Sequence, residues 1–268
     1  MTSMKPSITA YILAKNEEPN IGKCLASLEP CGIPVVLLDS GSIDRTREIA
    51  SSFTFCQIKG YNYTDHARAY NEITTANETA FALILDADME MPPLLWTELL
   101  RLATQTDWDV IRAPVRFYVE GHPLHWGSLY PPKPILFRTG KAYFVPRGHG
   151  EALVAGVRAR TTRAYLVHND LKPYEAYLLS QVRYGRNLAK RRAAGQISLK
   201  DRIRSGSAIM ALVYPFVSLI LRGGILSGRL GIMYALDRAI AVLVQYRVVL
   251  ASKLAQDRKQ SPGQSTTS

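Results

Sequence analysis

The chain is poor in several things whose absence narrows its class. It has 3 cysteines in 268 residues, Cys24, Cys31 and Cys56. They lack metal-site spacing and leave one over if two pair, so a disulfide scaffold is excluded and a reducing compartment is expected. No repeat recurs, and 47% apolar against 21% charged residues excludes disorder or a collagen-like fibre. The first apolar run, Ile8–Ala14, leads into Lys15-Asn16-Glu17-Glu18 without a small-residue cleavage pattern, which reads as a buried strand rather than a signal peptide. Acidic residues are scarce in one part only. Residues 1–157 hold 14 basic and 17 acidic residues, whereas residues 158–268 hold 19 and 5, so the overall charge of +11 comes from the second part. A field of one sign there suits a polyanion, either nucleic acid or an anionic membrane.

What is present alternates. Strand candidates at Ile8–Ala14, Val35–Leu38, Phe53–Ile58 and Phe81–Leu85 are separated by helical patterns over Pro19–Leu28, from Asp44 to Ser51, over His66–Thr75, and after Pro92-Pro93. This βαβα order predicts an α/β fold: a mostly parallel, Rossmann-like sheet with helices on both faces and a ligand crevice at the carboxyl ends of the strands. Asn16, Asp39 and Asp86 each follow a strand candidate, so all three are expected at that crevice. The stretch from Val110 to Leu153 is β-rich, with strands expected at Val110–Val119, Ile135–Arg138 and Ala142–Val145, and a last one at Arg160–Val167.

Asp86-Ala87-Asp88 puts two carboxylates one residue apart at a buried strand end, an arrangement that binds a divalent cation carrying a diphosphate. Asp39, followed by the small residues Ser40-Gly41-Ser42, can accept hydrogen bonds from a nucleoside base or ribose hydroxyl. A turn with an N-cap accounts for Asp44 but not for Asp39.

Together, Asn16-Glu17-Glu18 with Cys24-Leu25, Asp39-Ser40-Gly41-Ser42 with Asp44-Arg45-Thr46, Leu85-Asp86-Ala87-Asp88, His168-Asn169-Asp170 and Gln181-Val182-Arg183-Tyr184 resemble family 2 glycosyltransferases of the GT-A fold. The resemblance covers about residues 7–190, and the most similar branch is that of lipopolysaccharide-core glucosyltransferase-like proteins. It implies a nucleotide-sugar donor, UDP-linked, held by Asn16, Glu17, Asp39 and Asp86, with Arg68 and Asn71 facing the donor. It also implies Mg²⁺ or Mn²⁺ on Asp88, with His168 as a further metal contact. The family's catalytic carboxylate falls in Arg147-Gly148-His149-Gly150-Glu151. Here a glycine separates His149 from Glu151, a departure from the family's His-Glu pair. Inverting transfer from an α-linked donor needs a base for the acceptor hydroxyl, which assigns Glu151 that role and His149 an acceptor contact or the substitute base.

Beyond Pro173 the chain reads as helical and basic, with Arg183, Arg186, Lys190, Arg191 and Arg192 on one helix. Ser205–Leu221 carries no charge over 17 residues, at the lower limit for a span and interrupted by Pro215. It is expected to lie in or dip into a membrane interface, with a single span or a packed helical hairpin as alternatives. Gly223, Gly224, Gly228 and Gly231 suit a bend before a second helical stretch, Leu230–Leu254. The expected organisation is therefore a GT-A domain over residues 1–200, a helical membrane-associating region over 201–259 and a disordered tail over 260–268.

The resulting expectation is an inverting, metal-dependent glycosyltransferase, peripheral on the cytoplasmic face of an inner membrane, that extends a lipid-linked glycan such as lipopolysaccharide core. A homo-oligomer could form through the C-terminal helices. Transfer onto a polyprenyl phosphate is the competing enzyme reading. A non-catalytic membrane-bound or nucleic-acid-binding protein is the competing class, and long aliphatic runs without interleaved aromatics argue against nucleic acid.

Overall fold

The computed structural model describes residues 7–147, 150–154 and 156–260. The chain divides after Lys172 into two compact units. The expected boundary at residue 200 falls inside the second of them.

The first unit opens with β1 (Ile8–Ala14), α1 (Ile21–Leu28), β2 (Val35–Asp39), α2 (Thr46–Ser51), β3 (Cys56–Gly60), α3 (His66–Ala76), β4 (Phe81–Asp86), the two-residue β5 (Met89–Glu90) and α4 (Pro93–Ala103). The β-rich part supplies β6 (Val110–Ala113), β7 (Val115–Val119), β8 (His122–Pro123), β9 (Lys133–Arg138), β10 (Phe144–Arg147), β11 (Gly150–Leu153), β12 (Ala159–Thr161) and β13 (Leu166–His168). The main sheet has the order β12-β6-β9-β4-β1-β2-β3. Strands β4, β1, β2 and β3 are parallel, and β9 runs antiparallel between β4 and β6. A small sheet, β5-β13-β7-β8, and the antiparallel pair β10-β11 complete the unit.

The apolar runs are uninterrupted because both faces of the sheet are covered. Ile8, Ala10 and Ile12 of β1 share a cluster with Ile21, Leu25 and Leu28 of α1 and Leu95, Leu99 and Leu102 of α4. Leu13, Val36, Leu38 and Ile84 face the other way, onto Ala67, Tyr70 and Ile73 of α3.

Two expected strands are each split. Val110–Val119 divides at Pro114, which has no N–H to give a ladder: β6 joins the main sheet and β7 the small one. Arg160–Val167 divides in parallel with it, since β12 follows β6 and β13 follows β7. The third strand begins at Cys56 rather than Phe53, whose ring stacks edge-on against Phe55.

The second unit contains α5 (Tyr174–Ala193), α6 (Leu199–Arg204), α7 (Met210–Phe216) and α8 (Arg229–Gln260). The basic helix α5 stops at Ala193 because Gly195 takes a left-handed conformation (φ 69°), and Ser198 then caps α6 by accepting from the Asp201 N–H. Pro215 lies inside α7, and the turn after it, Val217–Leu221, is π-helical. Met210–Leu221 is thus a short apolar helix. Among the described residues, one helix, Arg229–Asp257, is long and apolar enough to cross a membrane, by length and composition only. Residues 173–268 hold 15 basic and 4 acidic residues, a net of +11, which is the charge of the whole chain.

Candidate active site

The parallel strands bring three loops to one edge. In register, Ala14 lies beside Asp39 and Leu13 beside Asp86, so the two acids flank the end of β1. Between β1 and β4 the strand order reverses, the point at which open α/β sheets bind ligands.

The first two loops are laced together by their own polar groups. Asn16 adopts φ +54°; its N–H donates to Ser42 Oγ and its Oδ1 accepts from the Ile43 N–H, each at 2.9 Å. The Glu17 N–H donates to Thr46 Oγ1, and the Glu18 N–H to Asp44 Oδ2. Asp44 is thereby a brace at the start of α2. Asp39 is buried, accepting from the Ser42 N–H and from Arg47 Nη1 at 3.1 Å. Burial raises its affinity for a proton, but these hydrogen bonds outweigh burial and hold it below the usual carboxylate range.

Asp86 has a partner that sequence reasoning missed. Lys133, at the start of β9, donates from Nζ to Asp86 Oδ2 at 2.6 Å, and both side chains are largely buried. Burial alone would push the carboxyl up, yet the Lys133 charge overcomes it and holds Asp86 at about 2. Its Oδ1 is buried without a partner, free to accept from a ligand hydroxyl.

Asp88 and His168 are brought together by the small sheet, where Met89 pairs with His168 and the Asn169 N–H donates to the Asp88 carbonyl. His168 Nε2 stands 3.4 Å from Asp88 Oδ2, and its ring stacks on Phe117 with centroids 4.8 Å apart. Asp88 Oδ1 is buried and unpartnered. Burial, and then the charge of Asp86, raise the Asp88 carboxyl against the opposing pull of His168. Two donors 3.4 Å apart can take neighbouring positions on one octahedral ion, and among the described residues the orphaned oxygen has no hydrogen-bond donor. Among the described residues no group of three or more His, Cys, Asp or Glu side chains gathers to hold a metal. A small donor set of this kind fits Mg²⁺ or Mn²⁺, which take one or two protein ligands plus substrate phosphate and water.

Glu17 is not an isolated acid. Lys172 Nζ donates to its Oε1 and Asn20 Nδ2 to its Oε2. Burial pushes Glu17 up to about 7 even so. Asn20 also donates to Asp170 and accepts from the Leu171 N–H, tying the loop after β1 to the segment after His168.

The remaining candidates sit elsewhere. Arg68 is exposed on α3 and pairs with Glu72 at 2.6 Å on the same helix. Asn71 pins a strand: its Nδ2 donates to the Phe144 carbonyl and its Oδ1 accepts from the Phe144 N–H. The strand it holds, β10, pairs with β11, in which Glu151 is opposite Pro146. The Glu151 side chain and the whole of His149 lie outside the described residues. Replacing Asn71 with alanine removes both hydrogen bonds and is expected to cost about 1–3 kcal/mol. Hydrogen exchange localised to β10 and β11, with transfer activity reduced alongside, is the measurement that checks it.

Residues 9–166 match the family model described as glycosyl transferase family 2. The lipopolysaccharide core biosynthesis glycosyltransferase LpsC of Rhizobium meliloti (strain 1021) is 43% identical over 49 residues, which span 18% of this chain and 18% of that relative. Solved structures of similar shape include a mycobacterial protein (15% identity, 69% of this chain and 74% of that one, TM-score 0.46). Another is glucosyl-3-phosphoglycerate synthase from Mycobacterium tuberculosis in complex with Mn²⁺, UDP and glucosyl-3-phosphoglycerate (16%, 68% and 79%, TM-score 0.44). A third is S. aureus TarS 1–349 (15%, 93% and 92%, TM-score 0.45).

Proposed function

The chain belongs to glycosyl transferase family 2, and from that premise we propose that it moves a sugar, with inversion, from a UDP-linked donor to a lipid-linked glycan. The observation that carries this reading is the Asp88–His168 pair, with its orphaned carboxylate oxygen, beside the Asp86–Lys133 pair at the reversal of strand order. Asp39 serves the nucleoside. Asp86, locked by Lys133, accepts from a ribose or sugar hydroxyl through Oδ1. Asp88 and His168 would hold Mg²⁺ or Mn²⁺, and such an ion neutralises charge that develops on the departing diphosphate.

Glu151 takes the proton of the acceptor hydroxyl as that oxygen attacks the anomeric carbon. The new C–O bond forms on the face opposite the nucleoside diphosphate, which leaves with the electron pair of the broken bond. The transition state has oxocarbenium character, as in glycoside hydrolysis. Cations beside the diphosphate and a carboxylate beside the acceptor are what such a step requires.

The acceptor side of the proposal is supported by the second unit and by the short match to an enzyme of lipopolysaccharide core biosynthesis. That unit carries the net charge of +11 and exposes Leu212 (74%), Leu221 (67%) and Leu226 (73%). Apolar side chains held in water beside arginines support association with the cytoplasmic face of an inner membrane, where acidic headgroups meet basic residues.

Changing Glu151 to glutamine is expected to lower turnover by about 10²–10⁴-fold while leaving UDP-sugar affinity unchanged. The assay is transfer of labelled sugar from UDP-hexose into the lipid-linked glycan fraction. Unimpaired transfer would place the base elsewhere. Transfer by this variant onto polyprenyl phosphate, an acceptor already anionic, would favour the competing enzyme reading.

A further inference from the structure

The second unit contains a groove whose lining residues have no role in the transfer step proposed above. It runs along α5 and α8, has a volume of about 590 Å³, and is lined on α5 by Arg183, Arg186, Asn187 and Lys190 and on α8 by Ser252 and Gln256. The four α5 residues follow helical spacing on one face, and Ser252 and Gln256 are one turn apart.

The helices make this groove because they run side by side in the same direction. Tyr177 meets Asp237 and Arg238, and Gln181 then meets Gln245. At Gly185 they approach so closely that a Cβ would stand 2.9 Å from Val248 Cβ. Past that contact only Ala189 and Ala193 fill the α5 side of the floor, and the space stays open.

Charge in a final helical turn is common, because cations there offset the helix dipole, and this explains Lys190. It does not reach Arg183 and Arg186, two to three turns upstream. Among the described residues, none of Arg183, Arg186 and Lys190 has a carboxylate partner. By contrast Arg191 is engaged with the Gln196 carbonyl. Arg183 and Arg186, which neither a helix dipole nor a carboxylate among the described residues accounts for, thus share with Lys190 a slot whose opposite wall offers the Gln256 amide, the Ser252 hydroxyl already donating to the Val248 carbonyl. Leu250 and Leu254 stand exposed on the same turns of α8 (39% and 57%), apolar surface beside the slot.

We propose that the groove binds a phosphate headgroup: Arg183, Arg186 and Lys190 neutralise it, while the Asn187 and Gln256 amides donate hydrogen bonds to its oxygens. Resting on the membrane reading above, this makes the association selective for an accessible phosphate rather than a response to negative charge in general.

The test uses the full chain, phosphatidylcholine vesicles with and without phosphatidic acid, and inorganic phosphate followed by calorimetry. R183Q/R186Q/K190Q is expected to weaken binding to the phosphatidic acid vesicles by about a hundredfold. A193W, which fills the floor at an exposed position without altering charge, is expected to weaken it as well. R222Q/R229Q/R247Q removes the same charge outside the groove and is expected to have a much smaller effect. Equal losses in the two triple variants, or wild-type binding by the groove triple, would overturn the groove and leave membrane association standing. Groove-dependent binding of inorganic phosphate by a protein that ignores vesicles would keep the phosphate site and overturn the membrane reading. Binding of neither would overturn both.

Discussion

Asp88→Asn should abolish transfer with the fold intact. The substitution keeps the size of the side chain and removes the charge proposed to hold a divalent ion against a diphosphate. Such an ion supplies several kcal/mol to the transition state, so the loss in turnover is expected to reach about a thousandfold. Stability should not fall, because the wild-type carboxylate is buried and stands near the charge of Asp86, both of which already disfavour its ionised form. A neutral side chain in that place is no worse for the folded state. The checks are turnover across a Mn²⁺ titration and a thermal melt of the same sample. Wild-type turnover in the variant would remove Asp88 from the metal assignment. Lost turnover with a collapsed melting temperature would make its role structural.

Lys133→Met should have the largest effect on stability. The lysine is 9% exposed and, among the described residues, its one carboxylate partner is Asp86. Removing it leaves a buried carboxylate without a counter-charge, which costs about 3–5 kcal/mol. For a unit of this size that lowers the melting temperature by roughly 6–20 °C. Neutralising the stranded acid as well, in Lys133→Met with Asp86→Asn, should restore most of the stability, because a buried ion pair adds little over two neutral groups. Activity should not return, since the Asp86 carboxylate is proposed to meet the donor. Recovery of activity with stability would limit the pair to a packing role.

The two acids of the Asp-Ala-Asp segment were legible because a run of buried apolar residues, Phe81–Leu85, ends at a sheet edge, where charge is tolerated. Lys133 was not legible. It precedes another apolar run, and its meeting with Asp86 depends on β9 inserting antiparallel beside β4. The register pairs Leu83 with Leu136, and its continuation brings Lys133 level with Asp86. That pairing joins residues 47 apart, a relation no local periodicity carries. The contacts of Glu17 with Lys172 and Asn20 were hidden for the same reason.

The donor-facing expectation for the third helix rested on resemblance alone. Arg68 points along its own helix to Glu72, and Asn71 spends its amide on the Phe144 backbone. In the second unit, the uncharged run drew attention to Ser205–Leu221. Pro215 and the π-helical turn keep that segment short, while α8 accommodates Arg238 and Asp237 and continues for 32 residues. Arg238 lies over the rings of Tyr177 and Tyr234 and donates to the Tyr177 hydroxyl, so its charge does not end the helix. Charge counted along a sequence underestimates such a helix.

The central claim is that the carboxyl edge of the sheet binds a nucleoside diphosphate together with a divalent ion. Thermal stabilisation by UDP, GDP, CMP and dTDP, each with and without Mn²⁺, tests it most directly, since a ligand specific for the folded state raises its stability by RT ln(1 + [L]/Kd). UDP with Mn²⁺ is expected to raise the melting temperature well beyond either alone, and Asp88→Asn to erase that synergy. A melting temperature indifferent to every nucleotide, with or without the ion, would contradict it.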